Sequence, residues 1–226
     1  MFLITIPRHK ITSFIPKRRK DYLNQVINLQ NTSDTPIQQF DNWYKEAEEF
    51  EYGIEVNSFV LSTLDSDGFP SSRFVLMKKY DKKGFIFLTH LNSPKAIEIL
   101  NNNKVSGLFY WPTLNRQVRF KGTAERTDKE TDKLYFDTYS IKTKMASIMS
   151  PQSQLLTPEN KDKLKEGLRS KIRKENLFFD INNIWGGFKI FPEYFEFWQG
   201  HRTRAHDRIC YKADEKGLWD KYMVYP

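Results

Sequence analysis

Cysteine is almost missing from this chain: Cys210 is the single one, which excludes an internal disulfide framework and suits a reducing compartment. Long apolar runs are missing too. The opening stretch Met1-Phe2-Leu3-Ile4-Thr5-Ile6 gives way at once to Pro7, Arg8, His9 and Lys10. That is too short for a membrane-spanning helix and wrongly ordered for a secretory signal, so the expected location is the cytoplasm, with no membrane partner. The sequence also contains no G-x-G-x-x-G, Walker loop, H-E-x-x-H, C-x-x-C or G-x-S-x-G. Each missing motif removes a chemistry: dinucleotide and nucleotide cradles, zinc proteolysis, dithiol redox and the serine elbow. No repeat, low-complexity tract or Pro/Gly/Ser linker divides the sequence.

What is present is enough chain for one core. The 226 residues, 39% of them hydrophobic, predict a flexible arm over residues 1–17 and a single domain over residues 18–226. A formal charge of +8 predicts attraction of anions without choosing between nucleic acid, membrane and a small phosphate.

Periodicity supplies the elements. Arg18 to Tyr22 opens a short helical stretch with Tyr22, Val26 and Leu29 on its apolar side. Thr35-Pro36-Ile37-Gln38 reads as a capped helix start, followed by a core-facing stripe of Ile37, Phe40, Tyr44 and Ala47 beside Trp43. From Ser58 the period becomes two. Ser58 to Leu64, Ser71 to Tyr80 and Phe85 to His90 are strands joined by the turns Asp65-Ser66-Asp67-Gly68 and Asp81-Lys82-Lys83-Gly84. Ser93-Pro94 starts a helix through Leu100, Val105 to Trp111 and Gln117 to Thr127 are strands, and Asp128 to Tyr139 and Pro158 to Arg173 are helices. Gly187 to Ile190, Tyr194 to Trp198, Arg208 to Tyr211 and Trp219 to Val224 complete a strand-rich pattern. The fold class expected is mainly β: a closed or half-open antiparallel barrel of Greek-key type with helices outside.

Three stretches carry chemistry. The run Glu196-Phe197-Trp198-Gln199-Gly200-His201-Arg202-Thr203-Arg204-Ala205-His206-Asp207-Arg208 gathers guanidinium forks, imidazoles and flat rings, a set suited to a planar, phosphorylated ligand. His201, His206 and Asp207 have metal-ligand chemistry, but the neighbouring Arg202, Arg204 and Arg208 repel a dication, so no metal is expected. Arg73-Phe74-Val75-Leu76-Met77-Lys78 is an apolar strand closed at both ends by a cation. Alternation puts Arg73 with Val75 and Met77, and Lys78 with Phe74 and Leu76. Thr89-His90-Leu91-Asn92-Ser93-Pro94-Lys95 runs from a strand end into a helix start, a seat for phosphate.

Taken in order, these pieces resemble the pyridoxamine 5'-phosphate oxidase family. The resemblance rests on Arg19-Lys20-Asp21-Tyr22, Arg73 to Lys78, Phe109-Tyr110-Trp111-Pro112-Thr113-Leu114-Asn115-Arg116-Gln117-Val118-Arg119, Gln152-Ser153, Trp185-Gly186-Gly187, Glu196 to Gly200, and Arg204-Ala205-His206-Asp207-Arg208. It implies an FMN-binding split barrel and a homodimer with cofactor sites at the interface. It also implies oxidation of pyridoxamine or pyridoxine 5'-phosphate to pyridoxal 5'-phosphate, with O2 reduced to hydrogen peroxide. By the family pattern FMN is held by Arg73, Phe74, Val75, Leu76, Lys78, Thr89, Lys95, Gln117, Gln152, Ser153, Trp185 and Arg208, with Arg73 and Lys95 on its phosphate. Substrate falls to Arg19, Tyr22, Lys78, Tyr135, Thr143, Arg204 and His206, the last two being the catalytic pair that orients the reacting carbon and the ring substituent.

The sequence departs from that pattern at four places: Pro94 and Tyr139 stand where the family usually has Arg, Thr143 where it has Ser, and Ala205 where it has Leu. Tyr139 falls on the group expected to grip the substrate phosphate, and Lys142 is the nearest positional substitute. Two other readings remain: a related FMN oxidase acting on a substrate such as a phenazine precursor, and a basic nucleic-acid-binding barrel, although nucleic acid is not the expected partner.

Overall fold

The computed structural model describes residues 26–171, 181 and 184–226, with side chains of 168–171 left aside. Arg19 and Tyr22 lie outside the described residues, as does the arm. Within them the chain forms α1 (Pro36–Phe50), β1 (Ser58–Leu64), β2 (Pro70–Asp81), β3 (Gly84–His90), α2 (Pro94–Asn101), β4 (Lys104–Trp111), β5 (Arg116–Arg126), α3 (Lys129–Asp137), α4 (Ile141–Met149), α5 (Pro158–Lys171), β6 (Trp185–Gln199), β7 (Asp207–Ala213) and β8 (Trp219–Met223).

The strands make one antiparallel sheet in the order β3-β2-β1-β4-β5-β6-β7-β8, and a further β3–β6 pairing closes the first six into a barrel. Strand β6 makes this possible. Its first half pairs with β3, from His90↔Trp185 to Phe85↔Ile190, while its second half pairs with β7, from Tyr194↔Lys212 to Gln199↔Asp207. From Phe188 to Gln199 the strand also lies along β5. The sequence pattern divides this stretch into two strands, Gly187 to Ile190 and Tyr194 to Trp198; the structure makes them one. Pro192 is accommodated opposite Gly122 where the β5–β6 register shifts, a bulge at which the missing proline N–H does no harm.

Alternation fills the barrel with rings. Phe59, Phe85, Phe109, Phe120 and Phe195 are fully or almost fully buried. Helix α1 brings Phe40 to within 4.9 Å of the Phe85 ring centroid and 5.0 Å of that of Phe109. Gly107 makes room: a Cβ there would meet the Phe120 ring at 2.0 Å.

Three local expectations are corrected. Residues 26–30 are irregular and then a turn, not helix. Val26 and Leu29 are consequently exposed and Ile27 is the buried residue. Thr35 does not cap α1 with its side chain; its hydroxyl donates instead to Gln38 Oε1 at 2.9 Å. The helix expected over Asp128 to Tyr139 ends at Asp137, and α4, which the periodicity did not reveal, starts at Ile141 behind a Ser140 cap.

Candidate functional site

Two clusters of the expected residues emerge at opposite ends of β6. The first surrounds the start of α2. Strand β3 ends on Thr89 and His90, Ser93 takes the N-cap position, and Pro94 sets the first turn. This delivers Lys95 into the protein, where only 8% of it is exposed. Its Nζ donates to Thr89 Oγ1 at 3.2 Å and to Gln152 Oε1 at 3.1 Å. Both acceptors are neutral. Burial, then repulsion from Arg73, pushes the ammonium down to about 8 against the opposing pull of Glu98. A buried ammonium on neutral oxygens at the positive end of a helix suits an anion.

Arg73 reaches the same region from β2. Its guanidinium donates to Glu98 Oε2 at 3.0 Å, to Ser71 Oγ at 2.6 Å and to the Thr63 hydroxyl, which itself donates to Glu98. Glu98, one turn beyond Lys95, was not singled out in the sequence and fixes this arginine.

Val75 and Met77 face inward while Phe74 is 75% exposed. A bulge between Met77 and Lys79 then resets the alternation. Lys78 places its Nζ 4.9 Å from the centre of the Tyr139 ring. Tyr139 meets Trp185 edge-on at 6.2 Å, and burial pushes its hydroxyl up to about 12. Trp185 Nε1 is buried with no hydrogen-bond partner, a donor in want of an acceptor. Tyr135, whose hydroxyl is raised by burial and then by Asp81, is half-buried on α3, while Thr143 is exposed on α4 and donates its backbone N–H to Ser140 Oγ at 3.2 Å.

The second cluster lies across β5, β6 and β7, where Gln117 pairs with Trp198 and Trp198 with Arg208. Trp198 was not among the expected ligands; its pairing with two of them is the signal that reveals it. The guanidinium of Arg208 grips Glu196 at both oxygens, 3.0 Å each, and donates to the Tyr225 carbonyl at 2.8 Å. Burial alone would raise the Glu196 carboxyl, but hydrogen bonds from Arg208 and the charge of Arg119 hold it below its usual range. Beyond Gln199 the loop of residues 200–206 carries Arg204 and His206. The His206 ring centre lies 4.7 Å from that of Trp198. Burial, then His201 and Arg204, pull the imidazole of His206 below its ordinary value, with Asp207 opposing.

Among the described residues three non-glycine positions have positive φ: Asn115 at 54°, Ser153 at 67° and Arg204 at 68°. The last two were expected site residues, in keeping with the habit of backbone strain to collect at binding sites.

A closed antiparallel barrel with a buried lysine at a helix start and an Arg/Trp/Gln line on its flank has the architecture of an FMN-binding split-barrel flavoprotein, and the charge and burial of Lys95 fit that cofactor's phosphate. Comparison with known proteins agrees. Residues 45–163 match the pyridoxamine 5'-phosphate oxidase family and residues 185–226 the pyridoxine 5'-phosphate oxidase C-terminal dimerisation region. A pyridoxine/pyridoxamine 5'-phosphate oxidase of Leptospira interrogans is 35% identical over 214 residues, covering 94% of this chain and 98% of its own. That of Flavobacterium johnsoniae is 38% identical over 208 residues, covering 89% and 94%. Among solved structures, PhzG from Burkholderia lata, in complex with tetrahydrophenazine-1-carboxylic acid, superposes with a TM-score of 0.76 at 28% identity, covering 89% of this chain and 98% of that one. A pyridoxamine 5'-phosphate oxidase-related FMN binding protein of Nostoc punctiforme reaches 0.68 at 12% identity over 85% of this chain and 98% of its own, a likeness of fold. The chain belongs to the pyridoxamine 5'-phosphate oxidase family. It is an oxidoreductase, and FMN is its cofactor.

Proposed function

We propose that this protein oxidises pyridoxamine 5'-phosphate, and pyridoxine 5'-phosphate, to pyridoxal 5'-phosphate, passing the electrons to O2. The observation that carries the reading is the buried Lys95 ammonium on Thr89 and Gln152, an anion seat in a family whose curated relatives bear this activity in their names.

Lys95 and Arg73 bind the FMN phosphate, with Thr89, Gln152 and Ser153 around it and Phe74, Val75 and Leu76 along the strand. Lys78 stands over Tyr139 at the substrate end, beside Trp185, Tyr135 and Thr143. Gln117 and Arg208 complete the cofactor site, and Arg204 and His206 orient the substrate ring. FMN supplies hydride acceptance from the substrate's 4' carbon and reoxidation by O2. The side chains bind, align and exclude water, and none acts as a nucleophile.

The same reading includes a homodimer, which the separation of the clusters along β6 favours. Gly186, next to Thr89, and Trp198, next to Gln117, are twelve residues apart on β6, about 40 Å of strand path. On this reading each FMN is held by one cluster from each of two copies, which the dimerisation region matched at residues 185–226 supports. The single-domain reading of residues 18–226 and a cytoplasmic location belong to the same proposal; among the described residues no helix is long and apolar enough to cross a membrane.

The test is anaerobic single turnover. Pyridoxamine 5'-phosphate should bleach the bound flavin, and admitted O2 should restore the colour. Absence of bleaching eliminates the vitamin B6 role. Bleaching by a reduced phenazine carboxylate instead would favour the second reading, which the likeness to PhzG supports.

A further inference from the structure

The loop of residues 200–206 has two legs. The leading leg is tied to the start of β5: Gly200 N–H donates to the Asn115 carbonyl at 2.8 Å, Arg116 Nε to Gln199 Oε1 at 2.9 Å, and Gln199 Nε2 to the Leu114 carbonyl at 3.1 Å. The trailing leg depends on Asp207, the first residue of β7. One oxygen of this side chain, Oδ2, lies 2.9 Å from His201 Nε2 and accepts from the backbone N–H of Ile27 at 3.0 Å. His201 in turn donates its backbone N–H to His206 Nδ1 at 3.0 Å, and its carbonyl accepts from Arg204 N–H at 3.2 Å.

We propose that Asp207 is a positioning residue: through His201 it fixes the backbone that presents Arg204 and His206, and through Ile27 it ties that loop to the segment of residues 26–34. The inference rests on the reading of Arg204 and His206 as substrate-facing groups.

Three features carry it. Both contacts meet on a single oxygen, so the loop and the segment cannot shift independently without one losing its acceptor. The far side of the segment is immobilised by other groups, Tyr211 Oη donating to the Ser33 carbonyl at 2.6 Å and Lys221 Nζ to the carbonyls of Leu29 at 2.9 Å and Thr32 at 3.1 Å. Ile27 therefore offers Asp207 a fixed N–H. Finally, the His201 amide holds His206 Nδ1 as an acceptor, so the neutral imidazole carries its proton on Nε2. Asp207 thus sets a tautomer as well as a position. The groups that bear on His206 electrostatically are His201, Arg204 and Asp207.

The experiment uses the FMN-loaded protein with pyridoxamine 5'-phosphate. Asp207→Ala is expected to lower kcat by about tenfold or more, as small misplacements of orienting groups do. The FMN dissociation constant should stay within about threefold, because Asp207 is placed with the loop rather than the cofactor seat. Asp207→Asn keeps a carbonyl oxygen able to accept from both donors and should recover kcat to within about threefold. Residue-resolved hydrogen exchange supplies a readout independent of turnover: the Ile27 and His201 amides should lose protection together in Asp207→Ala and keep it in Asp207→Asn. If Asp207→Ala loses the fold, His201→Ala, which severs only one contact, should still lower kcat while leaving Ile27 protected. Wild-type turnover in Asp207→Ala, an Asn variant as impaired as the Ala variant, or loss of protection at Ile27 alone overturns the proposal. A wild-type protein that does not oxidise this substrate refutes the proposed function instead, and the exchange measurement still decides the coupling.

Discussion

Lys95 and Gln152, distant in sequence, meet in a hydrogen bond of 3.1 Å from Nζ to Oε1, which leaves an inward ammonium with a neutral partner. Its ordinary value of 10.5 is lowered to about 8, so between those pH values the flavin-free folded protein holds fewer protons than the unfolded chain. Stability of the flavin-free form should therefore rise with pH across that window. Binding of FMN phosphate favours the charged ammonium and should show the opposite sign, with affinity falling as pH passes about 8. Fluorescence titrations of FMN at several pH values check this, and Lys95→Met should bind more weakly, by about 1.5–3 kcal/mol at pH 7, with a flat profile.

Glu196 is 5% exposed at its side chain and contacts both Arg208 and Arg119. Glu196→Gln removes the charge that holds two guanidinium groups. Both arginines are partly exposed, so the loss is smaller than for a fully buried pair, about 1–3 kcal/mol. Urea unfolding measures it. Flavin retention on dialysis should fall as Arg208 loses its clamp.

Tyr139 is the test of substrate grip. Tyr139→Arg puts a guanidinium fork beside Lys78 and should lower KM for pyridoxamine 5'-phosphate by about tenfold, while leaving KM for unphosphorylated pyridoxamine unchanged. Equal changes in both constants would assign Tyr139 to the ring rather than to the phosphate.

Gly107→Ala should destabilise the barrel by about 3 kcal/mol, since its Cβ would sit 2.0 Å from a Phe120 ring packed among Phe59, Phe85, Phe109 and Phe195. Chemical denaturation gives the number; a loss below about 0.5 kcal/mol would show that the rings can give way.

Much of the barrel was legible because period-two burial is a local signal: β1 was read at its observed bounds, and β2 to β5 to within a residue or so. What escaped was non-local. The union of the two late strands into β6 depends on Gly122 lying opposite Pro192, which no window of sequence displays. The break between α3 and α4 escaped for a different reason: residues 128–149 are helix-forming on either side of a Ser140 cap that resembles ordinary helix surface. In the site, Arg73, Thr89, Lys95 and Gln152 are legible in the sequence and lie together. Glu98 is not, and Glu196, though it opens the aromatic and basic run, has no role there, since a carboxylate that clamps an arginine looks in sequence like any other surface acid. Trp198 was passed over for Trp185 as a ligand, although only pairing across the sheet brings a tryptophan beside Gln117 and Arg208.

Because β3 finds a second partner in β6, the first six strands of the sheet close on themselves. Among the described residues the outermost strand is β8, only five residues long and carrying Asp220 and Lys221. A short, charged border is a poor template for strand addition. At that border a protein this rich in buried phenylalanine is guarded against fibrillar self-association.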